Sequence, residues 1–227
     1  MNGIGLRIPI TGHEPIICPY CDSKIENIPL RILKPKLLIV EGKDDEIFFN
    51  VFINHLNIQD IQVAGIGGKD KIKPNLKALS KDSNFSQIIS LGIIRDADKS
   101  AGNAFKSVRD SLIAAGLPSP RRALSTIKGP PKVTVMILPV RKRRGELEDL
   151  CLDAVSDDPA MSCVDQYFDC IDRQLLDKPR KLSKAKVRVF LSSRKDPTLP
   201  LGISAEKGYW PFDNKAFAAV QEFLQSL

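Results

Sequence analysis

The chain has 227 residues, 43% of them hydrophobic, which is enough for one good-sized domain or one domain with a small appendage. A chain of this composition is not disordered as its main state. Lys and Arg number 34 against 27 Asp and Glu, and the resulting formal charge of +7 suits a polyanionic partner such as nucleic acid. No apolar run approaches the roughly 18 residues that span a bilayer. Residues 1–10 lack the apolar stretch of a signal peptide, and the five cysteines are mostly scattered, so we expect a cytoplasmic protein.

Strands and helices are predicted to alternate after an irregular N-terminal arm at residues 1–34. Short apolar runs predict strands at 36–40, 61–64, 87–95 and 132–140. Helical spacing of apolar residues predicts helices at 44–56, 71–79, 101–115 and 147–155. Beyond residue 157 only helices are predicted, at 164–176, 183–191 and 214–227. The connections are too long for hairpins, so the pattern predicts an α/β fold with a mainly parallel sheet of about four strands, flanked by helices. We expect a core at 35–156 and a helical C-terminal extension at 157–227 that packs on it.

Acidic residues follow two of the predicted strands. Glu41 comes directly after the first strand, and Asp96 and Asp98 come directly after the third. Functional groups of parallel sheets lie beyond the carboxyl ends of the strands, so both sites fall on one edge. On an extended segment Asp96 and Asp98 would point to the same side and repel each other unless a cation lay between them. Mg²⁺ is the natural cation for such oxygen ligands.

A purely structural role is open for some of these acidic residues. Asp44 and Asp45 open a helix, where carboxylates interact well with free amides. Glu148 and Asp149 could likewise simply begin the fourth helix. Glu41 is less well explained in this way, because it precedes a glycine at a strand end.

The segments LLIVEGKDDEIFF and GIIRDADKS resemble the two signature motifs of the Toprim domain, a Rossmann-like fold found in topoisomerases, bacterial primases, recombination-mediator proteins and overcoming-lysogenisation-defect (OLD) nucleases. The resemblance covers about residues 36–155. It implies that Glu41 is a general acid/base or metal ligand and that Asp96 and Asp98 hold Mg²⁺ or Mn²⁺. The OLD branch adds a carboxylate four residues after the glutamate, where Asp45 stands, and this favours two-metal cleavage.

Further positions follow from the same resemblance. OLD nucleases place acidic residues after a later strand, which implies metal ligation by Glu146 or Glu148, and they use a downstream lysine, which Lys184 or Lys186 could supply. The segment GISAEKGYWPFDNKAFAAVQEFLQSL resembles the tail of small stand-alone Toprim proteins of unknown function. The segment at 65–70 does not match a phosphate-binding loop, so we expect no attached ATPase domain, and any nucleotide-driven regulation would come from a separate ATPase or regulatory protein.

Basic residues cluster near the same predicted edge. Arg141, Lys142, Arg143 and Arg144 lie between the fourth strand and the acidic segment, and Lys69 and Lys71 follow the second strand. With Lys43, they are candidates for binding the phosphates of nucleic acid, although a solvated loop would look the same in sequence.

The N-terminal arm contains Cys18 and Cys21, with His13 upstream. The pair resembles half of a Zn²⁺ ribbon, which a partner chain could complete. Two reduced thiols in a partly ordered arm are the alternative.

These features predict a Mg²⁺-dependent nuclease acting on DNA or RNA, in phage defence or nucleic-acid processing, with a homodimer as one arrangement. The alternative is a non-catalytic Toprim module that binds nucleic acid or a partner ATPase. Primase-like nucleotidyl transfer is weaker, because no companion primase elements are visible. Topoisomerase activity is rejected, because none of the three tyrosines has the setting of a nucleophile.

Overall fold

The computed structural model describes residues 31–227 and the two short antiparallel strands β1 (Ile16–Ile17) and β2 (Lys24–Ile25). The candidate zinc ligands His13, Cys18 and Cys21 lie outside the described residues.

A four-stranded parallel sheet forms the centre of the fold. Its strands are β3 (Lys36–Val40), β4 (Ile61–Gly65), β5 (Ser90–Asp96) and β6 (Lys132–Leu138). They lie in the order β4-β3-β5-β6, so β3 and β5 are the inner strands. Nearly every residue of these strands is buried, as expected for a sheet covered on both faces. The carboxyl ends of β3 and β5, which carry the acidic motifs, therefore lie side by side.

Helices cover both faces of the sheet. They are α1 (Lys43–His55), α2 (Ile72–Leu79), α3 (Ala101–Ala114), α4 (Leu147–Ala154), α5 (Ala160–Gln174), α6 (Leu182–Ser192), α7 (Leu201–Glu206) and α8 (Ala218–Ser226). One core packs α2 and α3 against strand residues such as Leu37, Ile39 and Ile93. The other packs α1, α4 and the C-terminal helices against the alternate strand residues, among them Leu38, Val40 and Ile94. The period-2 alternation of β3 and β5 thus divides their side chains between two cores. Among the described residues, no helix is long and apolar enough to cross a bilayer.

The predicted α/β architecture is confirmed, with differences at the element ends. Strand β5 begins at Ser90 rather than at residue 87, because Phe85–Gln87 forms a 3₁₀ turn. The predicted helix at 214–227 is a 3₁₀ turn at Lys215–Phe217 followed by α8. Helix α7 was not predicted, because its six residues include Gly202 and are too few to show a helical period.

Residues beyond α6 share a core with the sheet. Phe212 stacks on Phe52 of α1 with ring centroids 4.3 Å apart, and Trp210 stacks on Phe190 of α6. Gly202 of α7 lies so close to α1 that an added Cβ would be 2.3 Å from the carbonyl oxygen of Asp44. The amide of Gly202 also donates to Asp44 Oδ1 at 2.7 Å. Helix α7 therefore holds the first turn of α1, where the acidic motif begins.

Candidate metal centre

Glu41 and Asp96 are neighbours at the carboxyl ends of the two inner strands, since Glu41 follows β3 and Asp96 is the last residue of β5. The backbone amide of Asp96 donates to Glu41 Oε1 at 3.2 Å. Arg95 Nε lies 3.5 Å from the same oxygen, and Arg95 Nη1 donates to the carbonyl of Ala104 in α3. The Arg95 side chain is only 10% exposed. Glu41 is thus fixed by a backbone amide and a buried guanidinium.

Asp45 joins this pair from the first turn of α1. Its Oδ2 accepts a hydrogen bond from the amide of Gly42 at 2.8 Å, which caps the helix. The capping role considered for Asp45 is therefore real, while Asp44 binds Gly202 instead. A small pocket is lined by Glu41, Asp45 and Asp96 together with Arg95 and five apolar residues. The Asp45 side chain therefore both caps α1 and belongs to the acidic centre.

Asp96 also faces the first turn of α4. The amide of Leu147 donates to Asp96 Oδ1 at 3.0 Å. Among the described residues, Asp96, Glu146 and Glu148 each offer a carboxylate oxygen within 4.8 Å of the others, which is close enough to hold one metal ion. Glu146 is also the N-cap of α4, where Asp149 Oδ2 accepts from its amide at 2.7 Å. A carboxylate at the end of β5 and two carboxylates at the start of α4 therefore lie close together.

The electrostatics of the centre favour a cation. The pKa of Asp96 lies well above its usual value, because burial disfavours the charge and the nearby carboxylates, Asp45 first among them, repel it. Burial also raises the pKa of Asp45 to about 6, against the lowering effect of the Gly42 amide. The pKa of Glu41 is raised by burial more than Asp96 and Arg95 lower it. Three crowded carboxylates with raised pKa values are a common feature of functional sites.

Asp98 does not have the extended geometry expected for an Asp-x-Asp pair. Its φ of 49° is in the left-handed region, and its backbone exchanges two hydrogen bonds with Gly145. Its Oδ2 accepts from Lys69 Nζ at 2.6 Å. Burial alone would raise the pKa of Asp98, but Lys69, Lys181 and Arg95 lower it below the usual value. The extended segment expected at Asp96–Asp98 is therefore wrong, because the chain turns at Asp98, whose carboxylate pairs with a lysine.

Two lysines from the start of α6 reach the α4 carboxylates. Lys184 Nζ lies 2.7 Å from Glu148 Oε1 and 3.2 Å from Glu146 Oε2. Lys181 Nζ lies 2.8 Å from Glu146 Oε2 and 4.0 Å from Asp98 Oδ1. Burial acts to lower the pKa of Lys184, but its bonds to Glu148 and Glu146 raise it, so this lysine stays charged. Of the two lysines proposed from sequence, Lys184 contacts the centre, whereas Lys186 pairs with Asp165 at 2.6 Å.

The predicted nucleic-acid-binding residues differ in their distance from the centre. Lys69 contacts it through Asp98. Lys43 lies at the start of α1 with its Nζ 3.8 Å from Glu46, and Lys71 is exposed at the end of a 3₁₀ turn. The basic loop, defined here as Arg141–Arg144, is exposed at all four positions, and its Lys142 pairs with Asp153. The Arg143 carbonyl accepts from the amide of Ala101, which ties this loop to the start of α3 beside Asp98.

The donor set fits Mg²⁺ or Mn²⁺. All candidate ligands are carboxylate oxygens, the hard ligands that these ions prefer. Glu41, Asp45 and Asp96 each use one oxygen in a hydrogen bond to a backbone amide. Backbone bonds of this kind hold a site in place before the ion arrives.

Comparison with known families places the chain in one of them. A family model described as "Protein of unknown function (DUF3226)" matches residues 35–227. The chain belongs to this family. The search of curated proteins found no match.

Solved structures similar to this DUF3226 protein are C-terminal regions of OLD proteins. The region from Burkholderia pseudomallei has 11% identity over 86% of this chain and 98% of that chain, with a TM-score of 0.43. The region from Xanthomonas campestris pv. campestris, phased with mercury, has 12% identity over 87% of this chain and 88% of that chain, with a TM-score of 0.39.

Two residues of this acidic centre were missed by sequence reasoning. Arg95 was counted only as a strand residue, although an arginine at the end of an otherwise apolar run, beside an aspartate, is a signal for a buried ion pair. Lys181 carries no such signal. It lies 35 residues beyond Glu146, and only the packing of α6 against α4 brings the two together.

Proposed function

We propose that this protein is a Mg²⁺-dependent nuclease that hydrolyses phosphodiester bonds of DNA or RNA. The observation that carries the proposal is the set of carboxylates around Asp96, fixed by backbone amides at the carboxyl edge of a parallel sheet. Their raised pKa values mean that a divalent cation relieves repulsion that the fold otherwise sustains. The sequence resemblance to Toprim motifs supports the same chemistry.

The roles proposed for individual residues follow their positions. Asp96 would hold the ion with Glu146 and Glu148, whose oxygens lie within 4.8 Å of one of its own, and Glu41 and Asp45, which line a pocket with Asp96, adjoin this group. Bound Mg²⁺ supplies Lewis-acid stabilisation of the charge that builds up on a phosphate during hydrolysis.

Cationic side chains complete the proposed site. Lys184 places a permanent positive charge beside the acidic residues, where it can stabilise an anionic transition state. The exposed arginines of the basic loop would bind backbone phosphates, which positions a strand without reading its sequence.

The proposal is tested by incubating the purified protein with labelled DNA and RNA, each single- and double-stranded. Mg²⁺, Mn²⁺ or Ca²⁺ is added at about 5 mM, which is high enough for a weak site. We expect cleavage of at least one substrate with Mg²⁺ or Mn²⁺ and its loss with a chelator. The Asp96→Asn variant should be inactive, while Asp110→Asn, which alters an exposed aspartate of α3, should retain activity. Cleavage that is equal in Asp96→Asn would exclude this centre.

A non-catalytic module that binds nucleic acid or a partner ATPase is the second candidate. One observation favours it: Asp98, Glu146 and Glu148 pair with lysines of the chain itself. Such a module would bind nucleic acid in the presence of a chelator and cleave none of the substrates. Its binding would not change in the Asp96→Asn variant.

A further inference from the structure

The loop between α5 and α6 is exposed to solvent along its whole length. It comprises residues 175–181, with the sequence LLDKPRK, and every one of them is exposed. Leu176 is fully exposed, and Leu175 and Leu182 are 47% and 50% exposed. Large aliphatic side chains are normally withdrawn from water, so three of them so close together on the surface indicate a contact surface.

The same loop carries an excess of positive charge. Lys178, Arg180 and Lys181 stand against one acidic residue, Asp177. Lys178 pairs with Asp172 near the end of α5, which ties the loop to that helix. Arg180 is exposed and forms no ion pair within the described part of the chain. Its guanidinium can therefore bind an anion from solution.

The loop ends at the acidic centre. The Nζ atom of Lys181, its last residue, lies 2.8 Å from Glu146 Oε2 and 4.0 Å from Asp98 Oδ1. The basic loop ends at the same place, because Arg144 is followed by Gly145, which exchanges two backbone hydrogen bonds with Asp98, and then by Glu146. The α5–α6 loop and the basic loop therefore meet beside the same two acidic residues.

A nucleic acid fits this combination of side chains better than a second protein does. Exposed arginine and lysine side chains bind phosphates, and an apolar side chain among them can pack against bases. Protein-binding hot spots are instead enriched in Trp and Tyr, and the α5–α6 loop has no aromatic residue. Its position beside carboxylates that are proposed to act on phosphodiester bonds favours the same partner.

We propose that the α5–α6 loop is a second nucleic-acid-binding segment, in which Arg180 contacts a backbone phosphate and Leu176 packs against a base. With the basic loop, it would hold the nucleic acid at two places beside the centre. Leucine has no hydrogen-bonding atoms in its side chain, so this contact would not read sequence. The inference rests on the proposed action on nucleic acid and adds a base contact, which none of the basic residues named above supplies.

The test is the affinity of the full-length protein for labelled nucleic acid, measured by fluorescence anisotropy at several salt concentrations. The probes are one sequence as single- and double-stranded DNA and RNA, with Ca²⁺ in place of Mg²⁺ so that binding is measured without cleavage. On the probe that the wild type binds most tightly, Arg180→Ala should weaken binding and make the slope of log affinity against log salt less negative by about 1, as for one lost phosphate contact. Leu176→Ser should weaken binding about tenfold and leave the slope unchanged, because an apolar contact releases no counterion.

Each variant has a matched control at the opposite edge of the sheet. Lys128→Ala removes one exposed cation shortly before β6, and Ile89→Ser removes a 58% exposed aliphatic side chain directly before β5. Both controls should bind as the wild type does. Leu176 and Arg180 are exposed, so their variants should keep the wild-type circular dichroism spectrum.

The outcomes separate this inference from the proposed nuclease function. Wild-type affinity in either loop variant, or an equal loss in its control, would overturn the inference and leave the nuclease standing; the exposed leucines would then face a protein partner. Binding of no probe by the wild type would overturn both. The expected losses of affinity, without cleavage of any substrate in Mg²⁺ or Mn²⁺, would support the binding segment and contradict the nuclease.

Discussion

The Oε1 atom of Glu41 accepts a hydrogen bond from the backbone amide of Asp96 at 3.2 Å, across the ends of two adjacent parallel strands. The two motifs that stand 55 residues apart in sequence are joined by this bond. The pairing of β3 with β5 fixes the positions of Glu41 and Asp96 relative to each other along the strands, because Ile39 is in register with Ile93. The acidic centre is therefore a direct consequence of the sheet order.

The Asp96→Asn variant should have opposite effects on the stability of the metal-free protein and on nucleic-acid cleavage. Asn keeps the Oδ1 atom that accepts from the Leu147 amide but removes the charge that burial and neighbouring carboxylates oppose. We expect the metal-free variant to melt about 2–4 °C higher than the wild type, as for a gain of roughly 1 kcal/mol. Cleavage should fall about 100-fold or more. Differential scanning calorimetry and a nicking assay measure the two effects, and a variant that is both destabilised and active would contradict the assignment.

The stability of the metal-free protein should depend on pH through Asp45. The folded pKa of about 6 is above the unfolded value of 3.8, so the protonated form favours folding. This contribution is present below pH 3.8 and is lost as the pH rises through about 6. Between pH 7.5 and pH 5 the wild type should gain on the order of 1 kcal/mol relative to Asp45→Asn. Urea unfolding at the two pH values measures it, and a gain at the higher pH would have the wrong sign.

Metal binding should show the opposite dependence on pH. Protons and divalent ions compete for the same carboxylates, so the ion binds more tightly as the pH rises. We expect the increase in melting temperature caused by Mn²⁺ to be larger at pH 7.5 than at pH 5. An increase that is equal at both pH values would place the bound ion away from Asp45 and Asp96.

Arg95 should stabilise the fold through Glu41. Removal of one partner of a buried ion pair leaves the other charge uncompensated, so Arg95→Met should lower the free energy of unfolding by about 3 kcal/mol. The loss should be smaller in a Glu41→Gln background, with a coupling energy of about 1 kcal/mol or more. Urea unfolding of the four proteins of this cycle gives the coupling directly. A coupling near zero would mean that Arg95 acts only through Ala104.

Sequence reasoning was most successful where the signal is local. The apolar run of β3 and the helical spacing of α1 placed Glu41 at a strand end, and the structure has both. The conformation of Asp98 was not predictable, because its φ of 49° depends on the bonds to Gly145, 47 residues away. Lys181 was missed for the same reason, since tertiary packing alone brings it to Glu146. Local pattern and the Toprim resemblance therefore indicated the carboxylates and the lysines Lys69 and Lys184, whereas Lys181 required the fold.

Gly145 should be essential to the geometry of the centre. Its φ is 133°, and a Cβ there would lie 2.7 Å from Pro139 Cδ and 2.8 Å from Asp149 Oδ2. Gly145→Ala should therefore destabilise the protein by about 2 kcal/mol or more and reduce cleavage, because both Asp98 and the cap of α4 would shift. Gly102→Ala, in α3, meets only Ser100 Oγ at 3.9 Å and should stabilise by roughly 0.5–1 kcal/mol. Thermal unfolding of the two variants gives this contrast, and equal effects would refute it.

The basic loop should contribute to nucleic-acid affinity without setting the chemistry. Arg143→Ala/Arg144→Ala should weaken binding and make the slope of log affinity against log salt less negative by about 1–2. The control is Lys81→Ala/Lys128→Ala, which removes two exposed lysines that precede β5 and β6 and so lie toward the opposite edge of the sheet. Fluorescence anisotropy at several salt concentrations measures the slope. An unchanged slope in the arginine variant would mean that this loop does not contact the nucleic acid.

The acidic centre is tested most directly by anomalous diffraction from a crystal of the wild-type protein soaked in Mn²⁺. We predict a peak coordinated by Asp96 together with one or more of Glu41, Asp45, Glu146 and Glu148, absent from an Asp96→Asn crystal soaked in the same way. A wild-type map with no peak beside Asp96, or a peak that persists in the variant, would contradict a metal-dependent active centre at this edge of the sheet.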